Sequence, residues 1–301
     1  MNKQTFLTLL ATFALLFSFT FPCHAKGKDK AKHVVFIGLD GWGAYSLPKA
    51  DMPNVKKLME DGAYTLKKRS ALPSSSAINW ASMFMGAGPE LHGYTEWGSK
   101  TPELPSRELN QHGIFPTIFQ VLRDAAPKAE IGCLYEWNGI KYLVDTLALS
   151  YHKQAPDYNK YPTALCEMAV SYLKEKKPTL TLVAFDNPDH IGHGAGHDTP
   201  EYYAKLKELD GYVGRIVDAI KEAGIYENSI IIVTADHGGI NKGHGGKTME
   251  EMETPFIIAG KNIKKGGAFE ESMMQFDCAS TIASVFNLEQ PQVWIGRPMT
   301  Q

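Results

Sequence analysis

Cysteine is scarce in this sequence, and neither sign of charge predominates. The 301 residues include four cysteines, and 31 basic side chains stand against 33 acidic ones. So few cysteines exclude a disulfide-dense scaffold, and the balanced charge gives a nucleic-acid polymer or an anionic membrane no basic surface to bind. Internal repeats and low-complexity tracts are also absent, which excludes solenoid and fibrous architectures. The composition, 44% hydrophobic and 21% charged, is typical of a globular protein.

A long apolar run occurs only at the amino terminus. It extends over residues 6–21, with Lys3 before it and Cys23-His24-Ala25 after it. A basic residue, an apolar run and a small residue are typical of a secretory signal peptide. We therefore predict that residues 1–25 are a signal peptide cleaved near Ala25. Residues 26–301 would then form one domain that is periplasmic or secreted.

The amino terminus leaves two alternatives open, and it also decides how many cysteines the mature domain has. A membrane anchor is disfavoured because the run of about 16 residues is shorter than the roughly 20 that span a bilayer. Lipidation of Cys23 is disfavoured because Phe21 and Pro22 stand where small residues are expected. Without Cys23 at most one disulfide can form, and apolar neighbours predict buried thiols at the three remaining cysteines, Cys133, Cys166 and Cys278.

Short apolar runs alternate with helical patterns along residues 26–301. The runs predict strands at 33–39, 180–185, 229–234 and 255–259, and the helical patterns lie at 54–61, 116–124, 161–176 and 202–223. This alternation is typical of an α/β domain with a mostly parallel central sheet and helices on both faces. Residues 98–113 and 150–162 are richer in polar residues, so we interpret them as small surface insertions, with no large cap.

Carboxylates and imidazoles follow the predicted strands. Because the carboxyl ends of parallel strands meet at one edge of a sheet, these side chains are expected to lie close together. They divide into two triads, and mixed nitrogen and oxygen ligands suit two divalent ions, with Zn²⁺ the best fit. The triads are Asp40 with Asp236 and His237, and Asp189 with His193 and His244. His190, His197 and Asp198 lie beside the second triad and are candidates for supporting roles.

The segment PSSSAIN offers a hydroxyl nucleophile. It places Ser74, Ser75 and Ser76 just before a helix that is predicted from Asn79. Backbone N–H groups at a helix N-terminus bind phosphoryl oxygens, and divalent ions can deprotonate a serine hydroxyl. Asn79 is expected to cap the helix or to contact the substrate. The pattern therefore indicates phosphoryl transfer from an anionic ester.

These segments together resemble the alkaline phosphatase superfamily, and most closely its type I phosphodiesterase and nucleotide pyrophosphatase branch. The resemblance covers nearly all of residues 26–301. It rests on GLDGW, on PSSSAIN followed by FMGAGPELHGY, on DHIGH, TADHGG and GHGG, and on the closing segments FDCASTIASVFN and WIGRP. It implies an alkaline phosphatase-like fold and an enzyme that hydrolyses phosphate mono- or diesters through a phosphoserine.

The resemblance also implies roles for individual residues. In the family the nucleophile lies three residues before an Asn, which selects Ser76 from the three serines. One Zn²⁺ would be bound by Asp189, His193 and His244. The second Zn²⁺ would be bound by Asp40, Ser76, Asp236 and His237.

Two departures from the family pattern bear on the substrate. Trp97 stands five residues after the His of the His-Gly pair, where nucleotide pyrophosphatases usually have an Asn that binds a phosphoryl oxygen. This replacement argues against a nucleotide substrate. Trp97 is itself expected to bind the substrate, because its ring can stack on an aromatic or sugar leaving group. His244 follows His237 by only seven residues, so the part that covers the substrate must be small. The expected partner is a small phosphate ester, and no motif indicates an oligomeric state.

Two other functions fit part of the pattern. A metal-dependent phosphomutase uses a similar ligand set and a phosphoserine, but export argues against it because phosphosugar metabolism is cytosolic. A non-catalytic exported binding protein would have no need of an intact Ser76. Sulfatase activity is not expected, because no remaining cysteine lies in the Cys-x-Pro-x-Arg context that sulfatases mature.

Overall fold

The computed structural model describes residues 30–300, so the predicted signal peptide lies outside the described residues. Within this range eight strands form one sheet. They are β1 (His33–Leu39), β2 (Gly62–Arg69), β3 (Ile131–Tyr135), β4 (Tyr151–Gln154), β5 (Leu180–Phe185), β6 (Ser229–Thr234), β7 (Glu253–Gly260) and β8 (Gly267–Ala268). Their order across the sheet is β4-β3-β5-β1-β6-β7-β2-β8.

The sheet is mostly parallel. The five strands from β4 to β6 pair in parallel, β7 is antiparallel to both β6 and β2, and β8 is parallel to β2. The central strands β5 and β6 are buried along their whole length. They are nearly continuous runs of apolar residues because helices cover both faces of such a sheet.

Nine α-helices accompany the sheet in the described range. They are α1 (Pro53–Asp61), α2 (Ser76–Met85), α3 (Pro89–His92), α4 (Ile118–Ala125), α5 (Ala164–Lys176), α6 (Asp189–Ala195), α7 (Pro200–Glu222), α8 (Met249–Met252) and α9 (Asp277–Phe286). The buried apolar residues form two clusters, one with α2, α4 and α9 and the other with α1, α5 and α7. The prediction of helices on both faces is confirmed.

The carboxyl ends of β1, β5 and β6 meet at one edge of the sheet. Leu39 pairs with Phe185, and Gly38 pairs with Thr234. The amide of Asp40 donates a hydrogen bond to the carbonyl of Phe185 at 3.0 Å, so the residue after β1 is tied to β5. Ligands bind in the crevice outside the carboxyl ends where strand order reverses, and β1 lies at that point.

Several predicted element boundaries need correction. The helix expected from Asn79 begins at Ser76, because the chain is still extended at Ser75, with φ −140° and ψ 159°. The segment 150–162, interpreted as an insertion, contains the edge strand β4. All four residues of β4 are exposed and most are polar, so the segment has the composition of a surface loop.

The cysteines are buried as expected. Cys133, Cys166 and Cys278 are free thiols, and burial raises the pKa of Cys166 and of Cys278 to about 11. Across residues 30–300 no helix combines the length and the apolar character that crossing a membrane requires.

Candidate active site

The first group of predicted ligands meets at the ends of β1 and β6. Nε2 of His237 lies 3.4 Å from Oδ1 of Asp40 and 3.4 Å from Oδ2 of Asp236. The second oxygen of each carboxylate is occupied: Trp80 Nε1 donates to Asp40 at 2.9 Å, and the Gly41 amide donates to Asp236 at 3.1 Å. The two oxygens that face His237 are buried and have no hydrogen-bond partner in the described structure. Nε2 of His237 and the two facing carboxylate oxygens therefore lie close together, and neither oxygen accepts a hydrogen bond from the residues that the structure describes.

The turn after β1 requires glycine at position 41. Its φ of +73° lies in the left-handed region, and a Cβ there would stand 2.5 Å from Cβ of Asp189. Without that Cβ the amide of Asp189 approaches β1 and donates to the carbonyl of Asp40 at 2.9 Å. The Asp-Gly pair thus brings the second group of ligands against the first.

The charges in the first group call for a cation. Burial, with the neighbouring charges of Asp236 and Asp189, raises the pKa of Asp40 well above its usual range. Burial also raises the pKa of Asp236 to about 7. Buried carboxylates ionise only with a compensating charge. A divalent ion bound among them would supply that charge.

The second group is built on α6. Asp189 begins this helix and His193 lies one turn later, so both side chains are on one face. Nε2 of His193 lies 3.1 Å from Oδ2 of Asp189, and Nε2 of His244 lies 3.8 Å from Oδ1. One ligand atom from each of the three residues lies within 4.8 Å of the others, and the same holds for Asp40, Asp189 and His237. Asp189 therefore stands between the two groups.

The pKa values in the second group follow from burial and pairing. Burial raises the pKa of Asp189, but the hydrogen bonds from His193 and His197 and the charges of His237 and His244 together lower it by more, so it lies below its usual range. The hydrogen bond to Asp189 raises the pKa of His193 to about 9. Burial lowers the pKa of His237 and lowers that of His244 to about 4, which keeps both rings neutral near pH 7. A neutral imidazole is the form that binds a metal.

Backbone carbonyls orient all three imidazoles in the same way. A carbonyl can only accept, so each Nδ1 carries a hydrogen and Nε2 is the atom left to bind a metal. Nε2 of His193 donates to the Asp189 carboxylate in this structure, so this ring would release that proton on binding an ion. The contacts are His237 to Gly238 at 2.7 Å, His193 to Lys242 at 2.9 Å and His244 to Ser74 at 3.0 Å. Three imidazoles and three carboxylates match the mixed nitrogen and oxygen donors of zinc sites that keep open positions. The residues present therefore fit the two divalent ions that the resemblance implies.

Ser76 lies beside the first group. It is the first residue of α2, with Ser75 at the N-cap, and its Oγ is 3.1 Å from Nε2 of His237. Ser75 Oγ lies 3.3 Å from Nδ1 of His244, the ring nitrogen that also contacts the Ser74 carbonyl. Of the two hydroxyls, that of Ser76 therefore lies beside the Nε2 atom of a candidate ligand.

Asn79 occupies a different position from the one expected of a substrate contact. Its side chain is fully buried. Oδ1 accepts from the Ala71 amide at 2.7 Å, and Nδ2 donates to the carbonyls of Ala71, Pro73 and Ser75 at 3.0 to 3.2 Å. Because these bonds use the whole amide, Asn79 braces the loop that precedes Ser76 and does not face a substrate in this structure.

Trp97 lies next to the start of α2. Its carbonyl accepts a hydrogen bond from the amide of Ala77 at 3.1 Å, which places it one residue from Ser76 along the helix. The indole itself is 67% exposed. The backbone of Trp97 therefore lies beside the start of α2, and its side chain is exposed to solvent.

Two supporting side chains were not assigned a partner by sequence reasoning. Trp80 donates to Asp40, and His197 packs beside Asp189 with its ring fully buried. A Trp one helical turn after the nucleophile is the only signal for the first, and it is equally typical of a core residue. Asp198 pairs with Lys49 at 3.0 Å on the surface and is not a ligand.

The chain is similar to known phosphodiesterases and nucleotide pyrophosphatases. The sequence profile described as type I phosphodiesterase / nucleotide pyrophosphatase matches residues 34–278, which include every candidate ligand. Venom phosphodiesterase 2 of Crotalus adamanteus is 23% identical over 224 residues, 68% of this chain and 26% of that protein. A bis(5'-adenosyl)-triphosphatase of Mus musculus is 23% identical over 223 residues, 70% of this chain and 48% of that protein. The chain spans a quarter to a half of the length of these relatives.

Solved structures share the fold. Murine ectonucleotide pyrophosphatase / phosphodiesterase 5, as an inactive variant in complex with AMP, gives a TM-score of 0.71 at 16% identity over 86% of this chain and 96% of that one. Phosphonate monoester hydrolase from Silicibacter pomeroyi gives 0.67 at 16% identity over 89% and 76%. The predicted alkaline phosphatase-like fold is confirmed. Since the family profile covers most of the chain and every strand-end motif, the chain belongs to the type I phosphodiesterase / nucleotide pyrophosphatase family.

Proposed function

We propose that this chain is an exported, two-metal phosphodiesterase that acts through a phosphoserine on Ser76. The observation that carries the proposal is the convergence of buried carboxylate oxygens and imidazole Nε2 atoms around the Ser76 hydroxyl. A buried polar atom without a partner costs roughly 1–3 kcal/mol. Such a cluster is maintained where a bound cation and an anionic ester use it.

The substrate is a small phosphate ester. The family description and the venom phosphodiesterase support a diester. The bound AMP of the structural neighbour and the adenosyl substrate in the name of the murine relative both contain an aromatic base. The exposed indole of Trp97 offers such a base, or another aromatic group, a surface for stacking.

Ser76 performs the chemical step. Its hydroxyl loses a proton to solvent and its Oγ attacks phosphorus in line, forming an Oγ–P bond while the bond to the leaving oxygen breaks, and the leaving group departs as an alcohol or phenol after taking up a proton. The amide groups at the start of α2 direct partial positive charge at the phosphoryl oxygens. Water then attacks the phosphoserine along the same line, breaks the Oγ–P bond and restores the serine.

The metal ions are two divalent cations, with Zn²⁺ the best match to the donors. They would be held by Asp40, Asp236 and His237 together with Ser76, and by Asp189, His193 and His244. When bound they supply the positive charge that lowers the pKa of the attacking hydroxyl and neutralises the leaving oxygen. The contribution of the chain is geometry, because the carbonyls on each Nδ1 keep every Nε2 directed at the cleft.

The test uses residues 26–301 purified without added metal. Bound metal is measured by elemental analysis, and hydrolysis of bis(p-nitrophenyl) phosphate is compared with that of p-nitrophenyl phosphate, with and without chelator. About two zinc ions per chain and chelator-sensitive hydrolysis that prefers the bis ester are expected. Preference for the monoester would make the chain a phosphatase, and the absence of metal and turnover after zinc addition would refute the proposal.

Export and the phosphomutase alternative have separate tests. Expression of all 301 residues followed by amino-terminal sequencing of the exported product should find Lys26 as the first residue. A product that retains Cys23 with a lipid would indicate a tethered enzyme. A phosphomutase would move phosphate within a sugar phosphate without releasing it, so free phosphate from the monoester excludes that reaction.

A further inference from the structure

Trp80 links the nucleophile helix to a candidate metal ligand. It lies four residues after Ser76 on α2, so the two side chains lie one helical turn apart. Its Nε1 donates a hydrogen bond of 2.9 Å to Oδ2 of Asp40, at the end of β1. Both residues are buried, with Trp80 at 0% and Asp40 at 2% exposure. The contact therefore joins two elements that each deliver one part of the active site.

The strand is shaped to receive this indole. A Cβ on Gly38, two residues before Asp40, would lie 2.1 Å from Cη2 of Trp80. The ring also packs at 5.7 Å from Phe84 on its own helix. Any residue larger than glycine at position 38 would displace the ring and its N–H. The sequence thus provides a specific space for Trp80 beside the ligand.

The bond decides which oxygen of Asp40 faces the site. Oδ2 is engaged by Trp80, while Oδ1 lies 3.4 Å from Nε2 of His237 and has no partner in the described structure. Because the indole N–H is neutral, its hydrogen bond to one oxygen fixes the plane of the carboxylate without cancelling the negative charge that a metal ion needs. Such outer contacts orient ligands and tune their affinity for a metal.

We infer that Trp80 is a positioning residue, which holds Asp40 as a one-oxygen ligand and keeps it in register with Ser76. This inference rests on the proposed function, because it needs a cation at the site of Asp40, Asp236 and His237. It does not make Trp80 a substrate contact, since its ring is fully buried. Loss of the N–H should weaken one of the two metal sites and leave the other nearly unchanged.

Trp42 provides a matched control. It lies two residues after Asp40 and is also 0% exposed, but its Nε1 has no hydrogen-bond partner in the described structure. Trp42→Phe and Trp80→Phe remove the same atoms from two fully buried positions, one in each apolar cluster of the protein. The difference between the two variants therefore measures the hydrogen bond to Asp40 rather than the loss of indole packing.

The experiment titrates metal-free wild type, Trp80→Phe and Trp42→Phe with Zn²⁺ against a chromophoric chelator, and records the melting temperature of each metal-free protein. We expect wild type and Trp42→Phe each to bind Zn²⁺ at two sites, and the affinities of Trp42→Phe should lie within about threefold of those of the wild type. Trp80→Phe should show one site weakened by about 10-fold or more, and a lower kcat with little change in KM. Equal zinc affinities in the two variants would overturn the inference. A wild type that binds no zinc would instead refute the proposed function.

A measurement on the wild type covers the case in which Trp80→Phe does not fold. Indole N–H exchange is followed by NMR on protein labelled with ¹⁵N-indole tryptophan, which gives five resonances. The Trp80 resonance should be strongly protected and should shift when Zn²⁺ is added. Exchange as fast as that of the exposed Trp97, or no response to zinc, would overturn the inference.

Discussion

Nε2 of His197 lies 3.6 Å from Oδ1 of Asp189, and both atoms are buried without a hydrogen-bond partner in the described structure. The ring fits there because Gly192 and Gly239 leave room, since a Cβ on either would stand 2.2 to 2.3 Å from it. Its amide and Nδ1 both contact the carbonyl of Asn241, at 2.6 and 3.2 Å. His197 therefore contacts both Asp189 and the loop that leads to His244.

Two substitutions can distinguish the roles of the two ring nitrogens of His197. His197→Gln places an amide nitrogen near Nε2, and His197→Asn places one near Nδ1. We expect His197→Asn to keep the contact with Asn241 but to weaken zinc at the Asp189 site by about 10-fold, with a smaller loss in His197→Gln. Zinc titration of the two metal-free variants measures this. Equal affinities would show that His197 only fills space.

Ser76→Ala should abolish turnover. The variant removes the Oγ that lies 3.1 Å from Nε2 of His237, so hydrolysis of the diester should fall by roughly a thousandfold or more. Zinc content should largely persist, because the six carboxylate and imidazole ligands remain. Ser75→Ala is the control, and its activity should stay within about tenfold of wild type. Full activity in Ser76→Ala would contradict the assignment of the nucleophile.

Lys68 predicts a dependence of stability on pH. It is fully buried on β2, where its Nζ donates to the carbonyl of Ala235 at 2.7 Å and also bonds to Gln275. Burial lowers its pKa from 10.5 to about 8. Since the unfolded chain binds this proton more tightly, the free energy of unfolding should rise between about pH 8 and pH 10.5, by about 3 kcal/mol at most.

Lys68→Met isolates that contribution. Urea unfolding of wild type and variant at pH 7.5, 9 and 10 should show wild type gaining stability relative to the variant as pH rises. Tyrosine ionisation affects both proteins alike and cancels in the difference. A difference that stays constant with pH would mean that the pKa of Lys68 is the same in the folded and unfolded chains, which would contradict the prediction.

The strands predicted correctly are those whose physical environment leaves a simple pattern. β1, β5 and β6 lie in the centre of the sheet with both faces covered, and they are continuous apolar runs whose predicted ends agree with the structure. β2 was not predicted because its sequence ends in the charged residues Lys67, Lys68 and Arg69, although the side chain of Lys68 is buried in the core. A charged residue that is buried through its partners cannot be told from an exposed one by composition.

The candidate site divides in the same way. Asp40, Asp236 and His237 could be predicted because strand ends of one parallel sheet must meet, and the structure places Nε2 of His237 3.4 Å from an oxygen of each carboxylate. The role of Asn79 could not, because a buried amide and a substrate-binding amide have the same sequence context. Trp80 and His197 contact the candidate ligands Asp40 and Asp189 from other parts of the sequence, and only the packing against β1 and α6 brings them there.

Trp97→Ala tests the substrate side of the cleft. The side chain of Trp97 is exposed and its backbone lies beside α2, so its indole should stack on an aromatic group of the ester, and such contacts are worth about 0.5–1.5 kcal/mol. KM for bis(p-nitrophenyl) phosphate should therefore rise by roughly 2- to 12-fold, while kcat changes little because Ser76 and its surroundings are intact. Trp97→Phe should keep most of the affinity, and a dialkyl phosphate should show no such difference between wild type and variant. An unchanged KM for the aryl ester in Trp97→Ala would mean that Trp97 does not contact the aromatic group of the substrate.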